Sequence, residues 1–216
     1  DLMRLNKSFI IPRSGSSKRE IYRSLNLVSE FILNKVEVEH ESIWIAQREG
    51  RAKDGKDLTD PAILKMIHLV KRKERSISDF FNQMRVVPVS ISYEFDPNDL
   101  NKAKEVYEAE VNGYYRKKEN EDLESISRGI SGFKGSVVLN IGNVMNFKSD
   151  SYEDVAQQIT NEISNQFHNH STNKDALSIL NEDLKLEDNE YFSKRLEDQP
   201  DEVKSILLSQ YANSTN

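Results

Sequence analysis

Apolar residues recur every three to four positions in several segments of the chain, the spacing that lines one face of an α-helix. The first of these segments starts with Ser17 and Glu20 in the arrangement of a capping box. Another starts at Asp60 and Pro61, which suit the N-cap and the first position of a helix. The predicted helices cover residues 17–36, 60–70, 76–84, 99–117 and 152–167, with shorter pieces from 171 to 212 that break near residues 181 and 200.

Strand-like patterns lie between these helices. Residues 86–95 place Val87, Val89, Ile91 and Tyr93 at a period of two, which predicts a half-buried strand. Short apolar runs at residues 8–12, 42–46 and 136–141 predict three more strands, and Trp44 in the second run is expected to lie in the core. Because strands and helices alternate along the chain, the pattern predicts an α/β sheet.

Composition removes several classes of protein. The chain has 216 residues, of which 37% are hydrophobic and 31% charged, which is typical of a globular domain with a polar surface. No apolar run reaches the length of a membrane-spanning helix. Cysteine is absent, so these residues offer neither disulfides nor a thiolate nucleophile. The formal net charge of −6 argues against a general nucleic-acid binder.

The charges are unevenly distributed, and the first half of the chain is the more basic one. The loop of residues 47–56 follows a predicted buried strand and carries four basic side chains and two glycines. Ligands of open α/β folds bind at the carboxyl ends of strands, so this loop suits an anionic substrate. A solvated charged turn is the alternative interpretation. The basic residues are Arg48, Arg51, Lys53 and Lys56.

The same loop resembles a second motif. Residues 50–56 match G-x-x-x-x-G-K, the start of a phosphate-binding P-loop. However, Asp57 stands where a P-loop needs Ser or Thr for magnesium, and its carboxylate would repel phosphate. The predicted helix also begins after the Gly-Lys pair instead of at it. A P-loop-like nucleotide binder therefore remains the third hypothesis.

Three short motifs follow one another along the chain. They are Asn6-Lys-Ser-Phe-Ile-Ile-Pro-Arg13, Trp44-Ile-Ala-Gln-Arg-Glu-Gly-Arg51 and Val86-Val-Pro-Val-Ser90. In this order they resemble motifs of the glycerolipid acyltransferase superfamily, in particular a bacterial branch acting on 1-acylglycerol-3-phosphate or glycerol-3-phosphate. The resemblance covers residues 1–100, is weaker over 136–167 and does not extend to the C-terminal tail. Each motif is weak by itself, and the order makes the set specific.

The resemblance implies the fold, a mixed and mostly parallel α/β sheet flanked by helices. It places the acyltransferase-like domain at residues 1–170 and leaves 171–216 as a helical C-terminal extension. It also implies that Arg13 and Arg51 contact the phosphate of the acceptor, together with Lys53. Glu49 would bind an acceptor hydroxyl or orient the basic side chains, and Gly50 would let the backbone approach closely.

The implied reaction moves a fatty acyl group from acyl-CoA or acyl carrier protein to the hydroxyl of a glycerol phosphate, without a cofactor or a covalent acyl-enzyme. A His-x4-Asp pair before the second motif would supply the general base. These residues contain no such pair upstream of Arg13, so we expect it before Asp1 and expect the chain as given to be inactive. The chain would then be a domain that lacks its N-terminal part.

The sequence departs from the usual third motif at two positions. Arg48 stands where a proline usually precedes Glu-Gly, and Ala52 stands where the family places its arginine. Arg51 and Lys53 flank that position, so either could take the role. Pro88 is interpreted as a structural irregularity in a strand.

The histidines offer weaker candidates. His170 and Asp175 have the His-x4-Asp spacing but lie far downstream of the motifs, so a chance match is the preferred interpretation. His168 and His170 could bind a metal as a pair, although no further ligand is evident. His68 lies in an amphipathic helix and is interpreted as structural or surface-exposed.

Two further hypotheses concern partners and location. The first is a non-enzymatic anion-binding domain whose acidic C-terminal half recruits other proteins. The second is peripheral membrane contact through the basic start of helix 17–36, as in interfacial helices. The expected location is the cytoplasm, with membrane association of the full-length protein.

Overall fold

The computed structural model describes residue 9, residues 17–48, residue 50 and residues 52–215. The described residues group into two compact units, each built from several stretches of the chain. The first contains the described parts of residues 1–49, with residues 58–88 and 143–160. The second contains the described parts of residues 50–57, with residues 89–142 and 161–215.

The first unit is built from helices. Helix α1 spans Lys18–Leu33 and continues as a π-helical turn over Asn34–Val38. Helices α2 and α3 span Pro61–His68 and Ile77–Met84. The first part of α6, which spans Tyr152–Gln166, completes this unit.

The predicted helix starts are confirmed by their caps. The side chain of Ser17 accepts a hydrogen bond from the backbone nitrogen of Glu20. Asp60 accepts from the backbone nitrogen of Ala62 at 2.8 Å, and Pro61 occupies the first position of α2. Each cap satisfies a backbone donor that has no partner within its own helix, and this fixes the start of the element locally.

The second unit holds the strands and the remaining helices. Strand β1 spans Val89–Tyr93 and strand β2 spans Val137–Ile141. The rest of α6 also belongs to this unit. Its other helices are α4 (Asp99–Asn112), α5 (Glu121–Ser131), α7 (Ser171–Leu180), α8 (Glu190–Arg195) and α9 (Asp201–Ala212), with 3-10 turns at Leu186–Asp188 and Asn213–Thr215.

The predicted mixed, mostly parallel α/β sheet is wrong. The described residues are mostly helical and form one two-stranded sheet, in which β1 and β2 are antiparallel. Ile91 pairs with Leu139 at its centre, and Tyr93 pairs with Val137 at one end. A mostly parallel sheet needs several strands joined by crossovers, and the segment at residues 42–46 does not supply one of them. Residues 42–46 form no strand, and of residues 8–12 only Phe9 lies within the described part.

Residues 42–46 show why the pattern misled. Ile43 and Ile45 pack against a small cluster of Val28, Ile32 and Met66. Trp44 is 67% exposed, so the expectation of a core tryptophan is wrong. Half-buried and exposed side chains alternate along this segment, but a strand also needs a neighbouring backbone to bond.

Most of the remaining elements follow the predictions with shifted boundaries. The strand predicted over residues 86–95 begins only at Val89, directly after Pro88. The helix predicted to residue 117 ends at Asn112, where Gly113 adopts the left-handed conformation with φ of 76°. Helix α5 has no counterpart among the predicted elements.

Each unit has its own core. In the first, Phe80, Phe81 and Phe147 are almost fully buried, and Phe81 contacts each of the other two rings edge to face. In the second, α9 packs against α4 and α7 through Val203 and Leu207, both buried. The predicted domain boundary at residue 170 stays a prediction. Among the described residues, no helix is both long and apolar enough to cross a membrane.

Candidate functional site

The basic loop has a fixed base in the first unit. The backbone nitrogen of Asp60 donates to the carbonyl oxygen of Gln47 at 2.9 Å. The Thr59 hydroxyl donates to Oε1 of Gln47 at 3.1 Å, and the Thr59 backbone nitrogen donates to Thr160 Oγ1 at 2.9 Å. Thr59 is buried, so these bonds are shielded from water. Gln47 at the start of the loop is therefore held against Thr59 and Asp60, which follow the loop.

Most of the predicted phosphate-binding residues lie outside the described part of the chain. These are Arg13, Glu49 and Arg51. Gly50 is described and has φ of 81°, and a Cβ placed there would meet no atom within 4 Å. The backbone at Gly50 is thus open to an approaching group, as its predicted role requires.

Lys53 is described, and its ammonium group is already engaged. Its Nζ forms an ion pair with Oε1 of Glu105 on α4, whose side chain is only 7% exposed. A largely buried carboxylate is stabilised by such a partner. A substrate phosphate bound by Lys53 would have to share its ammonium group, which has three donors, with the Glu105 carboxylate.

The following residues of the loop dock on the C-terminal helix within the second unit. Gly55 has φ of 73°, and a Cβ there would overlap the carbonyl oxygen of Gln210 on α9. Asn213 donates from Nδ2 to the carbonyl oxygen of Asp54 at 2.7 Å. The helix after this loop begins only at Pro61, so no helix N-terminus lies at Gly55 and Lys56 as a P-loop requires.

A second polar site, which the sequence did not reveal, centres on Asp99 at the start of α4. Its carboxylate is fully buried. Tyr191 and Tyr211 donate their hydroxyls to Oδ2 at 2.6 Å and 3.0 Å. Arg195 donates to Oδ1 from Nε at 2.8 Å and from Nη2 at 2.5 Å. The partners lie about a hundred positions away in sequence, and no local signal links them to Asp99.

The environment keeps these groups in one protonation state. Burial, and then the charge of Asp99, raise the pKa values of the Tyr191 and Tyr211 hydroxyls well above their ordinary value. Burial opposes the charge of Arg195, but the hydrogen bond and charge of Asp99 more than compensate and raise the pKa of the guanidinium. Both hydroxyls therefore remain donors at neutral pH, and the cluster acts as a fixed support for the fold.

An open pocket of about 670 Å³ lies beside this cluster. Tyr191 and Arg195 form part of its wall, and Lys194 pairs with Glu190 at its rim at 2.8 Å. Oδ2 of Asp175, another lining residue, accepts from Nδ2 of Asn189 at 3.0 Å. The pocket can accommodate a polar ligand, but its charged side chains are already paired or hydrogen-bonded.

The structure gives the downstream His-x4-Asp pair separate partners. His170 is buried and caps the start of α7, and its Nε2 lies 3.1 Å from the Ser92 hydroxyl. Asp175 has its own partner in Asn189. The rings of His168 and His170 lie 4.7 Å apart, and no group of three or more potential metal ligands occurs among the described residues.

His68 is a structural residue of the first unit. The residue is 1% exposed, and its ring packs against that of Phe80 at 4.4 Å between centroids with the two planes tilted by 33°. Nδ1 lies 2.9 Å from the Tyr152 hydroxyl. Burial lowers the pKa of this imidazole, the charge of Arg75 lowers it further, and the backbone of Arg75 partly offsets both. The structural part of the sequence interpretation is confirmed, and the surface alternative is wrong.

Comparison with known proteins finds no matching family model, no similar curated protein and no similar solved structure.

Proposed function

We propose that this protein is an acyltransferase that moves a fatty acyl group from an acyl thioester to the hydroxyl of a glycerol-phosphate-type acceptor, a step of phospholipid synthesis. The observation that carries the proposal is the order of three sequence segments. An apolar run ending in Arg13 precedes the Glu49-Gly50-Arg51 turn, and the proline-containing run at Pro88 follows. The donor would be acyl-CoA or acyl carrier protein, and no cofactor is needed.

The chemistry assigns a separate task to each group. A histidine base takes the proton of the acceptor hydroxyl as its oxygen attacks the thioester carbonyl. The C–S bond then breaks, and the departing thiolate takes up a proton. Arg13 and Arg51 offer planar guanidinium groups that can bind the acceptor phosphate through paired hydrogen bonds. Glu49 would bind a second hydroxyl of the acceptor or orient these arginines.

Two features of the described residues support the loop as the acceptor site. Its base is fixed at Gln47 by Thr59 and Asp60, which limits the conformational entropy lost on binding. Gly50 has an open face and a backbone conformation that favours glycine. Because Lys53 pairs with Glu105, we assign the primary phosphate contacts to Arg13 and Arg51.

The proposal includes the location of the protein. A phospholipid precursor made from cytoplasmic acyl thioesters must reach a bilayer, so the full-length protein would be cytoplasmic and associated peripherally with a membrane. Its partners would be the acyl donor and the phosphorylated glycerol acceptor. Nucleic acid is not among them, since the chain has a net charge of −6.

The test uses the full-length gene product, including any segment that precedes Asp1. Transfer of a labelled acyl group from acyl-CoA or acyl carrier protein is measured with glycerol-3-phosphate and with its 1-acyl derivative. Arg13→Ala should raise the acceptor KM about 10- to 100-fold, the loss expected for a charge-assisted hydrogen bond, and leave the donor KM unchanged.

Arg19→Ala is the matched control, because Arg19 is exposed on α1, six positions beyond Arg13. It should leave both KM values unchanged. Absence of acyl transfer with every donor and acceptor pair would contradict the proposal. Equal increases in the acceptor KM for the two substitutions would contradict the assignment of Arg13 to the acceptor phosphate.

A further inference from the structure

The two-stranded sheet of the second unit has its polar face inside and its apolar face outside. Ser90 and Ser92 of β1 are 3% and 2% exposed. On the opposite face, three cross-strand pairs present only aliphatic and tyrosine side chains. The pairs are Val89 with Ile141, Ile91 with Leu139, and Tyr93 with Val137.

Polar contacts fix this orientation. Ser90 Oγ and Asn140 Nδ2 both donate to the carbonyl oxygen of Gln166, at 3.1 Å and 2.6 Å. The Ser92 hydroxyl lies 3.1 Å from Nε2 of buried His170. Turning the sheet over would break these bonds and leave buried polar atoms unsatisfied. The apolar side chains are therefore held outward by the contacts of the opposite face.

The outward side chains form one uncharged surface, which we call the outer sheet face. Five of its six residues, all except Val89, are between 40% and 68% exposed. The strands contain no charged residue, so association does not require any charge to be desolvated. A contiguous apolar surface of this kind on a folded chain marks an interaction site.

We propose that the outer sheet face is the interface of a homodimer, in which the sheets of two copies stack face to face about a twofold axis. A twofold interface requires a patch that complements itself, and an uncharged apolar face meets this condition without matched charges. Two sheets stacked in this way lie about 10 Å apart with their side chains interdigitating.

The area agrees with a weak dimer. Side chains of this size expose roughly 150–200 Å² each, so the exposed fractions amount to roughly 450 Å² per copy. Two facing copies would bury about 900 Å² together, which is below the roughly 1,200–2,000 Å² of stable interfaces and within the range of weak, transient ones. We therefore expect weak association and test for it at micromolar concentrations.

Sedimentation equilibrium from about 1 to 200 μM tests the inference across that range. The wild-type protein should pass from monomer to dimer, and Leu139→Lys should remain monomeric at every concentration. Leu139 faces solvent in the single copy, so the substitution should leave the far-ultraviolet circular dichroism unchanged. The matched control is Leu123→Lys on α5, which is also exposed but lies outside the face and should still dimerise.

A second variant keeps the test decisive if Leu139→Lys does not fold. These 216 residues contain no cysteine, so Leu139→Cys introduces a single thiol near the proposed axis. A short bis-maleimide should link two Leu139→Cys chains and should not link Leu123→Cys chains.

Three results would overturn the inference. They are a wild-type monomer at 200 μM, a dimer that Leu139→Lys leaves intact, and equal cross-linking of the two cysteine variants. Flotation with phosphatidylcholine vesicles tests whether a lipid bilayer, instead of a second copy of the chain, covers the outer sheet face. A monomer that floats with vesicles and loses this ability in Leu139→Lys would show that a bilayer covers the face instead of a second copy. None of these results bears on acyl transfer.

Discussion

Arg195 donates from Nε to Oδ1 of Asp99 at 2.8 Å and joins α8 to the start of α4 across 96 positions of the chain. Nη2 of Arg195 reaches the same oxygen, and two tyrosine hydroxyls donate to the other one. This buried carboxylate of α4 thus collects side-chain donors from two other helices, α8 and α9. The C-terminal helices are held to α4 by polar bonds as well as by apolar packing.

Replacing Arg195 should destabilise the protein. Arg195→Met leaves the Asp99 carboxylate buried with only part of its donors. We expect a loss of about 2–4 kcal/mol in the free energy of unfolding, less than for a fully buried pair because Arg195 is one-third exposed. Urea denaturation measures it. Lys194→Met is the control, since that neighbour is largely exposed and should have no measurable effect. Similar losses for both variants would contradict the role of Asp99.

Gly55 should tolerate no side chain. Gly55→Ala combines a left-handed backbone with an overlap at the carbonyl oxygen of Gln210. Gly113→Ala has a similar φ of 76° but meets no atom within 4 Å, so it isolates the cost of the backbone conformation, about 1 kcal/mol. Gly55→Ala should cost about 1–3 kcal/mol more by urea denaturation. Equal costs would show that the loop is not docked on α9.

His68 should make stability fall in mild acid. Burial holds the pKa of His68 in the folded protein below the unfolded value of 6.5. Between these two pKa values, the unfolded chain therefore binds a proton at His68 more readily than the folded chain does. The contribution of neutral His68 to the free energy of unfolding is fully present above pH 6.5. It is lost as the pH falls towards the folded pKa. The urea midpoint of the wild type should therefore decline between about pH 7.5 and pH 5, an interval that includes the ordinary pKa of histidine.

Two variants test this assignment. His68→Phe removes the titrating ring and should flatten the decline. Tyr152→Phe removes the hydroxyl near Nδ1 but leaves the imidazole buried, so the decline should persist. Carboxylates such as Glu153 and Asp150, whose pKa values are lowered by hydrogen bonds to Lys65 and Ser78, lose their contribution only at more acidic pH. An unchanged decline in His68→Phe would place the titrating group elsewhere.

Trp44 provides a direct spectroscopic test of the exposed segment. It is the single tryptophan of the sequence and is 67% exposed. Its fluorescence should therefore be quenched by acrylamide almost as strongly in the native protein as in urea. A core tryptophan, as the hydrophobic pattern predicted, would be protected from quencher until unfolding. Strong native protection would contradict the structure of residues 42–46.

Local chemistry explains which predictions were confirmed. The starts of α1 and α2 follow from Ser17 and Asp60, because a capping side chain bonds a backbone nitrogen two or three positions away. The end of α4 was placed too late, although Gly113 marks it with a left-handed backbone. Residues 42–46 failed because a strand needs a partner, and no property of an isolated segment supplies one.

The candidate site likewise has features that the sequence predicted and features that only the tertiary structure showed. The sequence identifies the basic loop and the need for flexibility at Gly50, and the acyl-transfer role remains a proposal. The tertiary structure adds the ion pair of Lys53 with Glu105 and the fixed base at Gln47, neither of which has a sequence signal. The Asp99 cluster also has no local signature, because its donors come from distant helices.

The sequence by itself determined where most helices begin, and it specified the alternation of side chains along β1. Only the tertiary structure decided that β1 and β2 pair antiparallel and that Ser90 and Ser92 face inward while Ile91 and Leu139 face outward. The reason is physical. Caps and periodicity act within a few residues, whereas strand direction and the choice of buried face depend on partners such as Gln166 and His170, which folding brings into contact from far along the chain.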